Sequence, residues 1–198
     1  MGAGGQYLQG YNVQTNSRFD GPMGAYWRVW TQPEYGILNI GANFFAMHYA
    51  NNLQAFTYGM GGYFSPQAYF LANVPITWSG HYRTQWHYTI LGSLGVQAFQ
   101  SVKAPLFPLS PTDTNQLFLA PLTSVGPNYD VRGQVAYAIN DHWFVGGFAG
   151  ANNSRNYTNA TAGFSVRYLF RSQPSTVAGP TGLFQTDDTH ALRPLTVP

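Results

Sequence analysis

Seven carboxylates and five histidines are the side chains of this 198-residue chain best suited to acid–base or metal chemistry. The acids are Asp20, Glu34, Asp113, Asp130, Asp141, Asp187 and Asp188. Hydrolysis of a glycosidic bond takes two of them flanking one bond, about 5–9.5 Å apart. All seven fall in expected loops, strand starts or the C-terminal tail, and none is expected mid-strand and facing inward. Asp187-Asp188 is an adjacent pair, but it sits in a proline-rich tail that offers no scaffold to hold it. His48, His81, His87, His142 and His190 show neither an H-x-H nor an H-E-x-x-H spacing, so no metal-ligand set is read. Cysteine is absent, which excludes disulfides and thiolate sites. Gly59-Met60-Gly61-Gly62 is too short a glycine pattern to cradle a phosphate, and no helical pattern follows it. The chain is therefore read as non-enzymatic and without a cofactor.

The elements that would position these side chains have a period of two. In 158–171, Ala160, Ala162, Phe164, Val166, Tyr168 and Phe170 share one face, opposed by Asn159, Thr161, Gly163, Ser165, Arg167 and Arg171. Successive strand side chains point to opposite faces, so such a segment separates an apolar surface from a polar one. Similar alternation, with breaks, predicts nine strands: 3–12, 23–31, 36–47, 54–62, 67–78, 85–99, 129–139, 143–152 and 158–171. Most are near ten residues, about the length that crosses a bilayer at a tilt. Aromatics crowd their ends, as they do at membrane–water interfaces. The expected fold is all-β, an antiparallel up-and-down meander forming part of a transmembrane barrel.

Composition agrees. Only 8% of residues are charged and 17% are aromatic, so the polarity comes from amides and hydroxyls. A soluble carbohydrate-binding β-sandwich also alternates, but its outer face carries Lys and Glu, which these strands nearly lack. A net charge of +2 and a single lysine, Lys103, argue against nucleic acid. No run approaches the ~20 apolar residues of a spanning helix. The first residues lack a basic stretch followed by an apolar core, so no signal peptide is read there.

On this reading the polar face lines a lumen. Its candidate contacts are Trp30, Asn39, Asn43, Phe45, Tyr69, Asn73, His87, Gln97, Arg132, Gln134, Phe144, Phe148, Asn159 and Arg167, with Tyr63 at its mouth. Aromatic rings suit the apolar faces of sugars and amide or guanidinium donors suit their hydroxyl edges, through many weak contacts. A general porin, the alternative channel, would present opposed acidic and basic rows, and this set is nearly free of acids. In "GGYFSPQAYF" (61–70), Gly61 and Gly62 end one strand, Ser65-Pro66 turns the chain, and the next strand begins, which predicts a hairpin corner. That corner and the Pro-rich connection 100–128 are expected outside the cell. The segments 79–85 and 139–143 are expected on the periplasmic side.

"FTYGMGGYFSPQAYFLANVPITW" (56–78), "NDHWFVGG" (140–147) and a final strand leading into a Pro-rich tail resemble the C-terminal barrel of the cellulose synthase operon protein C family. The resemblance implies an outer-membrane exporter of bacterial cellulose, a β-1,4-glucan, within a barrel of about sixteen strands. It also implies periplasmic helical repeats, absent from this chain, that reach the inner-membrane cellulose synthase complex. Cellulose cargo and outer-membrane lipid are the implied partners, with no nucleic acid. Residues 1–171 are expected to form the C-terminal part of the barrel, and 172–198 a periplasmic or lumenal tail. Nine strands do not close a bacterial barrel, so the chain is expected to be part of a longer protein or a shortened family member. Thr161 to Tyr168 also resembles the last-strand signal for barrel insertion.

Overall fold

The computed structural model describes residues 1–33, 35–110, 117–154 and 157–171. Ten strands occur among them: β1 (Gly4–Leu8), β2 (Asn16–Gln32), β3 (Gly36–Tyr49), β4 (Ala68–Tyr82), β5 (Trp86–Ser101), β6 (Ala104–Pro105), β7 (Phe118–Leu119), β8 (Leu122–Ala138), β9 (Trp143–Ser154) and β10 (Tyr157–Tyr168). No helix occurs among the described residues. Eight strands form one sheet in the order β1-β2-β3-β4-β5-β8-β9-β10, and β6-β7 is a small separate ribbon. Every neighbouring pair is antiparallel, so the sheet is the expected meander. Among the described residues β1 pairs only with β2 and β10 only with β9, which leaves the sheet two edges.

The sheet has two faces of opposite character. Phe70, Val74, Ile76, Ile90, Leu94, Val125, Val131, Phe164 and Val166 are exposed on the outer face. Leu71, Asn73, Thr77, Ser93, Gln97, Arg132 and Gln134 alternate with them on the more covered inner face. Short turns join β2 to β3, β4 to β5 and β8 to β9 at one end, and at the other the connections from β1 to β2, β3 to β4 and β5 to β8 are longer. Around the short-turn end the outer face carries a belt of rings. Trp78 meets Tyr88 at 5.3 Å between centroids, Trp86 meets Tyr137 at 4.6 Å, and Trp143 meets Tyr168 at 4.9 Å. The Trp78 indole and the Tyr88 hydroxyl both donate to the Tyr35 carbonyl, at 3.0 and 2.6 Å.

Three sequence expectations differ. Segment 54–62 is not a strand but part of the loop 50–67 between β3 and β4; its one ladder-type contact is a bridge from Gly59 to Val13, and side-chain and backbone bonds join it elsewhere. Its alternation fails because Gly59 and Gly62 take φ of 89° and 67°, left-handed conformations that break an extended run. The strands expected at 23–31 and 129–139 begin earlier, at Asn16 and Leu122, running through Pro22 and Pro127. Lastly, Gly61, Gly62, Ser65 and Pro66 do not make a hairpin corner between two ladder strands. Ser65 and Pro66 are fully buried in the folded loop. The tail expected at 172–198 lies outside the described residues, as do Glu34, Asp113, Asp187, Asp188 and His190.

Candidate functional site

Cross-strand register places the candidate residues row by row on the inner face, because directly opposed residues share a side. One row joins Asn43, Asn73, Gly95 and Asn128, and the next toward the short turns runs through Ser93, Asp130 and Asn152. Arg28, Asn39, Thr77, Leu91, Arg132, Gly150 and Thr161 follow. Below them lie Ile37, Ser79, Thr89, Gln134, Phe148 and Gly163, and then His81, His87, Ala136, Gly146 and Ser165. Asn159 opposes Asn152 on the same face. This is a wall of amides, hydroxyls and a few arginines.

Trp30 is not on that wall. A bulge between Arg28 and Trp30 shifts the register, so Trp30 opposes Leu38, which in turn opposes Trp78 of the outer belt. A bulge adds one residue and swaps the faces beyond it. Trp30 is thereby a member of the aromatic belt.

Phe45, Tyr63 and Tyr69 turn inward, Phe45 buried and the two tyrosines half-covered by packing. Loop 50–67 folds over the inner face at the long-loop end, and Phe64 from it packs edge-on against Tyr69 at 5.9 Å and Phe99 at 5.3 Å. Phe45 packs against Tyr69 at 6.0 Å, and the Tyr69 hydroxyl donates to Gln97 Oε1 at 3.3 Å. Tyr63 packs on Tyr49 at 5.7 Å and accepts a hydrogen bond from Asn16 Nδ2 at 2.8 Å. Burial pushes the Tyr63 hydroxyl above its usual pKa, while the Asn16 bond pulls it the other way. At the short-turn end Phe144 is 3% exposed, while Trp143 lies on the outer face. Phe144 packs with Ala138 and Leu169 and lies 5.2 Å beneath the Arg167 guanidinium.

The loop is held by its own hydrogen bonds. Asn16, 2% exposed, donates to the Asn51 carbonyl at 2.9 Å and accepts from the Asn51 amide at 2.9 Å. Asn52 Nδ2 donates to the Val102 carbonyl at 2.7 Å, and the Leu53 amide donates to Ser65 Oγ at 2.7 Å. Leu53, Met60 and Ala104 form a small core beneath it. Ser65 and Pro66 therefore seat the loop.

The expectation that no carboxylate faces inward mid-strand is corrected at two positions. Asp130 lies on β8 and receives both Arg132 Nε (2.8 Å) and Nη2 (2.6 Å). Asp20 lies on β2, 3.1 Å from Arg18 Nε. Each acid is matched by an arginine two residues away on its own strand, so neither is free for acid–base work. An acid and a base at i and i+2 within an alternating strand is the signal that would have found both pairs. Tyr26 was also missed. It lies against Gly41, where an added Cβ would fall 2.7 Å from Tyr26 Cδ1, and its hydroxyl donates to Asn43 Oδ1 at 2.7 Å. Among the described residues no three Asp, Glu, His or Cys side chains converge as a metal site. The inner face thus presents many neutral hydrogen-bonding groups and, among the described residues, no metal-type cluster.

Comparison with known proteins adds a family. The model described as "Cellulose synthase operon protein C C-terminus" matches residues 1–171. Cellulose synthase operon protein C of Pseudomonas fluorescens is 31% identical over 167 residues, covering 82% of this chain and 13% of that protein. A protein of the same name from Komagataeibacter xylinus is 33% identical over 172 residues, 86% of this chain and 12% of that protein. The counterpart in Komagataeibacter sucrofermentans is 43% identical over 111 residues, 55% of this chain and 8% of that protein. The chain thus spans a small fraction of the curated relatives it matches.

Proposed function

The chain belongs to the cellulose synthase operon protein C family, matching its C-terminal part, and we propose on that premise that it forms part of the outer-membrane channel wall through which cellulose is exported. The observation that carries this reading is the outer face. Large apolar side chains exposed across neighbouring strands of one face, bounded at one end by rings, fit a sheet facing lipid. The role is non-catalytic. The cargo is an uncharged β-1,4-glucan, whose ring faces and hydroxyls the amide-rich inner wall matches. The whole protein reaches the inner-membrane synthase through segments outside this chain.

Two glycines on β8 test the reading with one chemical change on opposite faces. Gly126 opposes Gln97 on the inner face, Gly133 opposes Ile90 on the outer face, and an added Cβ meets nothing within 4 Å at either. In the full-length protein, Gly126→Trp is expected to obstruct the polymer and reduce cellulose secretion while folded protein in the outer membrane stays constant. Gly133→Trp points an indole into lipid and is expected to leave secretion unchanged. Equal secretion by the two variants would overturn the export reading.

A further inference from the structure

Near the mouth, the candidate contacts Tyr63 and Tyr69 are engaged in packing, as is Phe64 of the same loop. Other rings at the same end are not. Phe56 is 92% exposed and Tyr11 90%, and Tyr58 is more than half exposed. They stand on loops 9–15 and 50–67, which are joined by the Val13–Gly59 bridge and a hydrogen bond from the Gln14 amide to the Gly59 carbonyl at 2.8 Å. The Thr57 hydroxyl ties the same turn to the Leu106 carbonyl. Phe56 lies against the backbone: a Cβ at Gly62 would fall 2.5 Å from Phe56 Cε1, so one side of the ring rests on Gly62 and the rest is open to solvent.

Segments 9–15 and 50–67 contain no charged residue, only amides, hydroxyls, glycines and apolar side chains. Exposed rings in an uncharged, amide-rich setting match a ligand with apolar faces, hydroxyl edges and no charge. A lipid phosphate or an acidic protein would call for cations that these loops lack. We propose that Tyr11, Phe56 and Tyr58 form a stacking platform for an uncharged β-linked glucan at the long-loop end. The identity of the sugar rests on the export reading above. Because the platform stands on pinned loops, binding it needs little further ordering of the chain.

The test is titration of the full-length protein in detergent with cellohexaose, followed by calorimetry, with hexagalacturonate as the charged comparison. Phe56→Ala is expected to weaken cellohexaose at least threefold, and the triple Tyr11→Ala, Phe56→Ala, Tyr58→Ala variant at least tenfold. Phe56→Trp should retain affinity. Phe56→Leu keeps an apolar cover over Gly62 but no flat ring, so it separates stacking from loop integrity and should weaken binding as Ala does. Undiminished affinity in the triple variant, absence of cellohexaose binding by the parent protein, or equal binding of hexagalacturonate would each overturn the platform. Secretion reads the export function independently. A block by Gly126→Trp alongside an unaltered triple variant removes the platform and keeps export. The reverse pattern removes export and keeps a glucan site on the loops.

Discussion

Asn16→Ala is expected to unpin loop 50–67 without disturbing the sheet. Three hydrogen bonds cross from the Asn16 side chain to the loop: to the Asn51 carbonyl, from the Asn51 amide and to the Tyr63 hydroxyl, at 2.9, 2.9 and 2.8 Å. At about 0.5–1.5 kcal/mol each, their loss removes about 1.5–4.5 kcal/mol of loop closure. That multiplies the open population roughly tenfold to a thousandfold. The lower end applies where water fills the vacated site and satisfies Asn51. Remaining anchors, such as Asn51 Nδ2 to the Thr15 carbonyl and Asn52 Nδ2 to the Val102 carbonyl, keep the loop mostly seated. Native-state hydrogen exchange of the full-length protein reads this directly. Amides of Asn51, Leu53 and Gly62 should lose protection by those factors, while those of β5 and β8 should not change. A loss below threefold in the loop, or an equal loss in β5, would refute the assignment of Asn16 as the pin.

Two further outcomes follow from the faces and the packing. Val131→Arg, on the outer face of β8, carries the roughly 2–4 kcal/mol of a cation facing lipid near the midplane; on gels it should lose heat-modifiability, whereas Gln134→Arg on the inner face should keep it. Tyr69→Ala removes a partly buried ring packed against Phe45 and Phe64, so its cost falls short of the about 3–5 kcal/mol of a fully buried ring, at about 1–3 kcal/mol. Folded protein in the outer membrane should therefore fall, while Tyr69→Phe remains near normal, and unchanged abundance for Tyr69→Ala would show the cluster to be dispensable.

What was legible in the sequence follows from period two. Where alternation dominates, as in β10 and, apart from Leu71 and Leu91, in β4 and β5, both the strand and its faces can be read residue by residue. The N-terminal part of β2 was missed because Arg18, Asp20, Gly21 and Pro22 look like turn residues, yet Arg18 and Asp20 pair and Pro22 lies opposite Phe45. Trp30 was misplaced because a bulge leaves no mark in a hydrophobicity pattern. Loop 50–67 was read as a strand and a corner because its order comes from side chain–backbone hydrogen bonds of Asn16, Asn52 and Ser65. Those bonds connect distant residues and have no period. Among the candidate contacts, inward placement was legible for the amides, whereas whether a ring was open or covered depended on the loop above it.

The internal pairing of Arg132 with Asp130, and of Arg18 with Asp20, bears on how the sheet reaches its register. Because each acid and its arginine sit on one strand, the pair can form before any neighbour docks, and the two charges move together when the strand slides. A slip of one residue exchanges the faces of the whole strand. In β8 it would carry both charges out of the wet wall into hydrocarbon and bring Val131 and Val135 inward. With the proposed lipid-facing outer surface, the misaligned ladder is penalised at its first contact with lipid, and a two-residue slip restores the faces but breaks the turns. On the proposed placement, the two ion pairs disfavour a one-residue slip of the strands that carry them.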